Sequence, residues 1–191
     1  MINNELKALA KEVKTQFTIL GSIVAVFWFV HIINATFFNY RLNYYGISPR
    51  NLTGLRGVVF APFLHGDYFH LLANTTPFLI LGFLCMLRET SDFFVVSLLS
   101  MLTSGLGVWL FSPRYSITVG ASGVIFGYLG FLLFRGLFKK NIPSIAVSLM
   151  VFFLYGSMIW GVLPSSPYIS WQGHFFGFLG GVLAAKLLPS K

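Results

Sequence analysis

The chain has 191 residues, 56% hydrophobic and 9% charged, with a formal net charge of +8. A soluble domain carries about a quarter charged residues, so this composition excludes a water-facing globular surface and indicates an all-α polytopic membrane protein. The positive charge does not read as a nucleic-acid patch, because the lysines and arginines stand in short clusters between apolar runs, the arrangement that sets membrane topology.

Crossing a bilayer takes about 20 apolar residues, and six stretches qualify: 17–37, 68–87, 93–111, 117–134, 142–162 and 171–188. Residues 1–16 form a polar, helix-compatible N-terminal segment, and 189–191 a short tail. The single cysteine, Cys85, lies in the second stretch and reads as core packing. With the N-terminus inside, the inner set of basic residues is Lys7, Lys11, Lys14, Arg88, Arg135, Lys139, Lys140, Lys186 and Lys191. The outer set is Arg41, Arg50, Arg56 and Arg114. Nine against four predicts a cytoplasmic N-terminus and C-terminus.

The first span carries His31 near its outer end, where it reads as an interface residue without a chemical role. The outer loop that follows, about 39–67, mixes arginines with Tyr40, Tyr44, Tyr45, Val58, Val59, Phe60 and Phe63, and should lie in the membrane interface. His65 reads as a structural hydrogen-bonding residue and Asp67 as the N-cap of the second span. His70 and Asn74, four apart, share one face of that span. Glu89 and Asp92 fall in the next inner loop.

The fourth span contains Gly120-Ala121-Ser122-Gly123, and the sixth contains Gly173-His174 followed by Gly177, Gly180 and Gly181. A polar residue in a span is costly and marks a candidate functional site. Asn74 precedes Arg88 by 14 residues, Ser122 precedes Arg135 by 13, and His174 precedes Lys186 by 12. At 1.5 Å per residue all three lie roughly 18–21 Å above the inner edge of the membrane. Gly123 and Gly127, and Gly177 and Gly181, form two small-xxx-small pairs that allow the fourth and sixth helices to approach closely. His174 shares the glycine face and Ser122 adjoins it, so packing these helices brings a hydroxyl toward an imidazole. The chain has five acidic residues, none at this depth, so a dyad is expected rather than a triad. No paired intramembrane aspartates, no H-E-x-x-H and no metal cluster are present in the sequence, and no cofactor is expected. The uncharged loop 163–170 above the sixth span is a candidate lid.

These motifs, in this order, resemble those of the rhomboid intramembrane serine proteases along nearly the whole chain. Gly120-Ala121-Ser122-Gly123 is similar to the family's G-x-S-G motif, and Gly173-His174 with Gly177 and Gly181 to its G-H-x-x-G-x-x-x-G motif. The stretch 65–74 resembles its second-span motif. The resemblance implies a six-helix rhomboid-type bundle with Ser122 as nucleophile and His174 as base. It also implies that His70, Asn74 and the Ser122 backbone N–H stabilise an oxyanion. Gly120, Gly123, Gly127, Gly177, Gly181, Phe126, Asp67 and Arg56 would support the site. Leu55 stands where the family often has tryptophan beside the arginine, and Phe126 where it often has a tyrosine packed on the histidine. The implied activity is endoproteolysis of membrane-spanning segments of single-span or multi-span proteins. The expected location is a bacterial plasma membrane, with the site opening outward. One alternative is a non-catalytic rhomboid-like protein that binds client helices, although such a protein is expected to lack the serine or the histidine. A small transporter is the other, and it would string ionisable groups along the lower halves of the spans.

Overall fold

A computed structural model describes residues 2–164 and 169–189. Six long helices account for most of it: α1 (Ile2–Phe37), α3 (Tyr68–Met86), α4 (Thr90–Phe111), α5 (Ser122–Lys139), α6 (Ile142–Tyr155) and α7 (Trp171–Leu187). The one-turn helix α2 (Gly57–Phe60) lies in the first loop. Among the described residues there is no strand, only an isolated antiparallel bridge between Ile47 and Thr118. Five helical segments are long and apolar enough to cross a membrane, α6 being counted with its 3₁₀ extension Gly156–Val162. The remaining one, α7, has 17 residues, or about 25 Å of helix.

The polar N-terminal segment and the first span are one uninterrupted helix. Gln16 anchors it by donating to the Met86 carbonyl and to the Thr90 hydroxyl, both at 3.2 Å. The fourth span begins later than its hydropathy predicts, at Ser122 rather than near residue 117. The preceding residues are held out of the helix: Thr118 is bridged to Ile47, and Gly120 has φ +116°.

Helix α5 occupies the centre and packs against α3, α4, α6 and α7. Its contact with α7 is backbone on backbone. A Cβ on Gly177 would overlap the Gly123 carbonyl oxygen, and one on Gly181 would overlap that of Gly127. Reciprocally, a Cβ on Gly127 would come 3.1 Å from the Gly177 carbonyl oxygen. Serines of α4 fill the third side, with Ser104 Oγ against Gly123 and Ser100 Oγ against Gly127. Lipid tails are as apolar as leucine, so such close van der Waals packing, rather than expulsion of water, holds these helices together.

The opposite end of the bundle departs from expectation. Asp92 is not a loop residue but lies buried in the first turn of α4, and Arg135 is buried on α5. The Asp92 carboxylate accepts from Arg88 Nε and Nη2, both at 3.1 Å, and faces Arg135 Nη2 at 3.5 Å. Charges that read as topology signals are therefore partly consumed in an internal ion cluster.

The first loop is folded rather than merely adsorbed. Gly54 backs onto Ser48, and Gly57 onto Gly46 and Ile47, at distances that no side chain would permit. Val58 packs on Gly105 of α4, and Trp109 Nε1 donates to the Asn51 carbonyl at 2.9 Å. Tyr44, Tyr45, Val59 and Phe60 remain exposed.

The glycine contact gives a direct test. Gly177→Ala places a methyl against backbone, which no rotamer change relieves, and should lower stability by about 1–3 kcal/mol. A Cβ on Gly21 of α1 would meet nothing within 4 Å, so Gly21→Ala should be neutral or gain up to about 1 kcal/mol of helix propensity. Thermal unfolding in detergent separates them; equal stability of the two variants would contradict the packing argument.

Candidate active site

Ser122 is the first residue of α5, half-buried, with its hydroxyl turned toward α7. The turn that delivers it is built by three elements. Gly120 N–H donates to the Ala61 carbonyl at 2.8 Å, Thr118 and Ile47 exchange backbone hydrogen bonds at 2.9 and 3.0 Å, and α3 presses on the turn from the side. At Gly120 the positive φ alone favours glycine, and a Cβ there would lie 2.6 Å from His70 Nε2. That same position is 3.6 Å from Asn74 Nδ2. His70 and Asn74 thus both reach the turn immediately before Ser122.

His174 lies one turn into α7, whose N-cap Ser170 accepts from Gly173 N–H at 3.4 Å. Its Nε2 is 2.9 Å from Ser122 Oγ, and its Nδ1 is 2.9 Å from the Gly161 carbonyl oxygen. A carbonyl only accepts, so Nδ1 must carry the proton, and Nε2 of the neutral ring is then the acceptor for the serine hydroxyl. Phe126, one turn after Ser122, stacks flat on the imidazole, with centroids 4.1 Å apart and planes at 8°. Gly161 has no room for a side chain, since a Cβ would lie 2.7 Å from the Phe126 ring and 3.4 Å from His174 Nδ1. Among the described residues no carboxylate bonds to His174.

His70 has the opposite tautomer. Its Nδ1 accepts from Gly66 N–H at 3.4 Å, which leaves the ring proton on Nε2, the nitrogen facing Gly120. Asn74 donates its amide to the His70 carbonyl at 3.1 Å. Being at the start of a helix, the N–H groups of Ser122 and Gly123 have no partner four residues back. An imidazole N–H, an amide and helix N-terminal N–H groups are therefore gathered around one turn. Beside it is a void of about 20 Å³ lined by Ser122, Gly120, Ser104, Thr118 and Ser170 among others, roughly the space of one water.

The other candidates serve these elements at one remove. Asp67 caps α3, accepting from His70 N–H at 2.7 Å, and is exposed. Arg56 lies in the first loop, with its guanidinium 4.3 Å over the Tyr45 ring and donating to the Tyr44 carbonyl at 3.3 Å. Gly123 and Gly177 form the α5–α7 contact beside the dyad, and Gly127 and Gly181 form it one turn further down. Of the candidate lid, residues 165–168 lie outside the described residues.

Two histidines differ from expectation. His31 is not an interface residue but fully buried, its ring 4.5 Å from Tyr68 and 5.7 Å from Tyr40 between centroids. His65 is also fully buried, between Phe27, His31 and His70. Its ring nitrogens have no partner among the described residues, and only its carbonyl is used, by Asn43 Nδ2 at 3.3 Å. Burial, reinforced by the neighbouring histidines, lowers the His65 pKa to about 3. Gly161 and Ser104 escaped the sequence reading; Ser170, three residues before Gly173, carries a recognisable capping signal.

The His65 shift has a definite sign. Its folded pKa lies below the ordinary 6.5, so the unfolded chain binds the extra proton first as pH falls. Stability is fully present above about pH 6.5 and should be lost between there and pH 3, by up to about 1.4 kcal/mol per pH unit. His65→Phe should flatten that acid limb in detergent melting curves recorded across the window; an unchanged slope would contradict it.

Comparison with known proteins adds the following. The family model described as Rhomboid domain matches residues 52–191. An uncharacterized protein of Mycobacterium tuberculosis (strain ATCC 25618 / H37Rv) is 41% identical over 181 residues, 91% of this chain and 75% of its own. An uncharacterized protein of Mycobacterium leprae is 39% identical over 155 residues, 76% of this chain and 61% of its own. A Bacillus subtilis protein named provisionally as a rhomboid protease, YdcA, is 32% identical over 131 residues, 67% of this chain and 64% of its own.

Proposed function

The chain belongs to the rhomboid family, and from that premise we propose that it is an intramembrane serine endopeptidase that cleaves membrane-spanning segments of other proteins with a Ser122–His174 dyad. The observation that carries this reading is the 2.9 Å contact from His174 Nε2 to Ser122 Oγ, with Gly161 accepting from the other ring nitrogen. That pair of bonds leaves a free lone pair aimed at the one hydroxyl at the start of α5.

In the first step Ser122 Oγ attacks the scissile carbonyl and its proton moves to His174 Nε2. The imidazolium keeps Nδ1–H on the Gly161 carbonyl, so the ring does not rotate while charged. The carbonyl oxygen becomes an oxyanion beside the Gly120 turn, where His70 Nε2–H, the Asn74 amide and the Ser122 N–H are its donors. The C–N bond then breaks as Nε2 returns the proton to the leaving amine. Water attacks the resulting ester, with His174 again the base. Asn74 donates one of its two amide N–H groups to the His70 carbonyl in the resting protein, which leaves the other for the oxyanion. The oxyanion develops only as the tetrahedral centre forms, so this contribution belongs to the transition state more than to substrate binding. The basic-residue distribution favours cytoplasmic termini in a plasma membrane, with the dyad opening to the outer side. The retention of both reacting groups in hydrogen-bonding geometry weighs against the non-catalytic, client-binding alternative.

A fluorophosphonate probe should label the wild-type protein and spare Ser122→Ala, while purified protein should cut a single-span test substrate and His174→Ala should not. Equal labelling of wild type and Ser122→Ala would remove Ser122 as the nucleophile.

Kinetics test the oxyanion assignment separately. Losing one such donor costs roughly 10²–10³ in turnover in a soluble protease, and a site with several donors loses less. Asn74→Ala should lower kcat with little change in KM. A raised KM at wild-type kcat would make Asn74 a substrate-binding residue instead.

A further inference from the structure

A cavity lies at the end of the bundle opposite Ser122. It has about 470 Å³ and forms a wedge between α3, α5 and the first turns of α6. Its walls are Leu84, Leu87, Phe131, Leu132, Pro143 and Val147, and its charged lining is Arg88, Arg135 and Asp92. The catalytic reading uses none of these residues, so the wedge stands independently of it.

The head of the wedge leaves one buried donor unpaired. Two guanidiniums share the Asp92 carboxylate, and Glu89 adds a second negative charge near both. Arg88 is fully engaged, donating Nε and Nη2 to Asp92 and Nη1 to the Pro189 carbonyl at 2.7 Å. Arg135 is 8% exposed, is held over the Phe131 ring at 4.9 Å, and has no hydrogen-bond partner for Nη1 among the described residues. A buried guanidinium N–H without a partner is costly. Asn141 and Pro143 place the N-terminus of the 14-residue α6 in the lining of the same cavity, adding the positive end of a helix dipole. Arginine, with its fork of donors, suits phosphate in particular.

We propose that this wedge binds an anionic phospholipid, its phosphate paired with Arg135 and its upper acyl chain lying along Leu84, Phe131 and Val147. A free phosphate would satisfy Arg135 equally but would leave the apolar walls uncovered. The lipid satisfies both halves of the cavity at once. It would also come from the leaflet on the face opposite Ser122, where Lys139 and Lys140 end α5 one turn beyond Arg135.

The test uses the intact purified protein in detergent with three probes: dioleoyl phosphatidylglycerol, dioleoyl phosphatidylcholine and inorganic phosphate. Native mass spectrometry and thermal melting read binding. Phosphatidylglycerol should bind and raise the melting temperature more than phosphatidylcholine does, and inorganic phosphate should do neither. Arg135→Gln should weaken phosphatidylglycerol binding about tenfold, the scale of one hydrogen bond to a charged group. Val147→Trp keeps every charge and fills the wedge, and it should abolish the preference for phosphatidylglycerol; it decides the question should Arg135→Gln fail to fold. Retention of the preference in a folded Val147→Trp protein, or in Arg135→Gln, would overturn the proposal. A melting shift from inorganic phosphate equal to that from phosphatidylglycerol would overturn the lipid assignment.

Discussion

The direct backbone contact between α5 and α7 is the constraint from which the site follows. Gly177 lies on the Gly123 carbonyl and Gly181 on that of Gly127, so the two helices are closer than any pair separated by side chains. Only at that separation can a serine at the head of one helix meet an imidazole one turn into the other. Ser100 and Ser104 of α4 close the third side with the smallest polar side chains available. In a bilayer, where burying leucine against a neighbour gains little over leaving it in lipid, this small-residue core is also the main cohesive element. The same contact thus supplies stability and alignment, and loosening it would cost both.

A second set of constraints acts on the turn ahead of α5. Ala61 holds Gly120, Ile47 holds Thr118, and His70 fills the space that a side chain at residue 120 would need. The first loop is consequently part of the site, and Ile47, Val58 and Ala61 line the void beside Ser122. Its own folding depends on Gly46, Gly54 and Gly57, and on Arg56 tying Tyr44 and Tyr45 together. With Leu55 in place of a tryptophan, this anchoring falls to the arginine and to Trp109 from α4. The two histidines at the turn are set in opposite tautomers by backbone groups, Gly161 for His174 and Gly66 for His70. One is made an acceptor and the other a donor without any charged neighbour bonded to either ring.

How much of this was legible in the sequence depends on the range of each interaction. The helices were legible because membrane spans are long and uniform; their ends were misjudged at 117–121, where tertiary bonds override hydropathy, and at 90–92 and 135–139, where polar residues continue the helix beyond the apolar run. Glycine spacing within α5 and α7 is a periodic signal, so the facing of Ser122 and His174 could be argued from it. Asp67 was legible as a cap because it stands directly before the second span, whereas Ser170, which caps α7, was not singled out. The Gly161 carbonyl could not be found in this way, because any residue offers a carbonyl and nothing local marks which one an imidazole will use. The same holds for Asp92 and Arg135, 43 positions apart by their numbering, whose charges look like ordinary loop charges until α4 and α5 are packed. Burial of His31 and His65 was invisible for a related reason: it depends on a loop folding back over α1.

Among the described residues no carboxylate stands behind His174, and under the proposed reaction this has an energetic logic. A buried acid would supply stronger stabilisation of the imidazolium than a carbonyl does, and in the soluble triad its replacement by an amide lowers kcat by about 10⁴. Part of that loss comes from the wrong tautomer, however, and here Gly161 enforces the right one. What remains is the Coulomb difference, against which stands the cost of holding one more charge at membrane depth. The protein already carries a buried ion cluster at its other end, where Arg88, Arg135 and Asp92 partly neutralise one another. A lone carboxylate beside His174 would have no such partner while the histidine is neutral. A backbone carbonyl avoids that cost in the resting state, at the price of a slower chemical step in the proposed reaction, and the Phe126 face then holds the ring in the plane that the carbonyl has chosen.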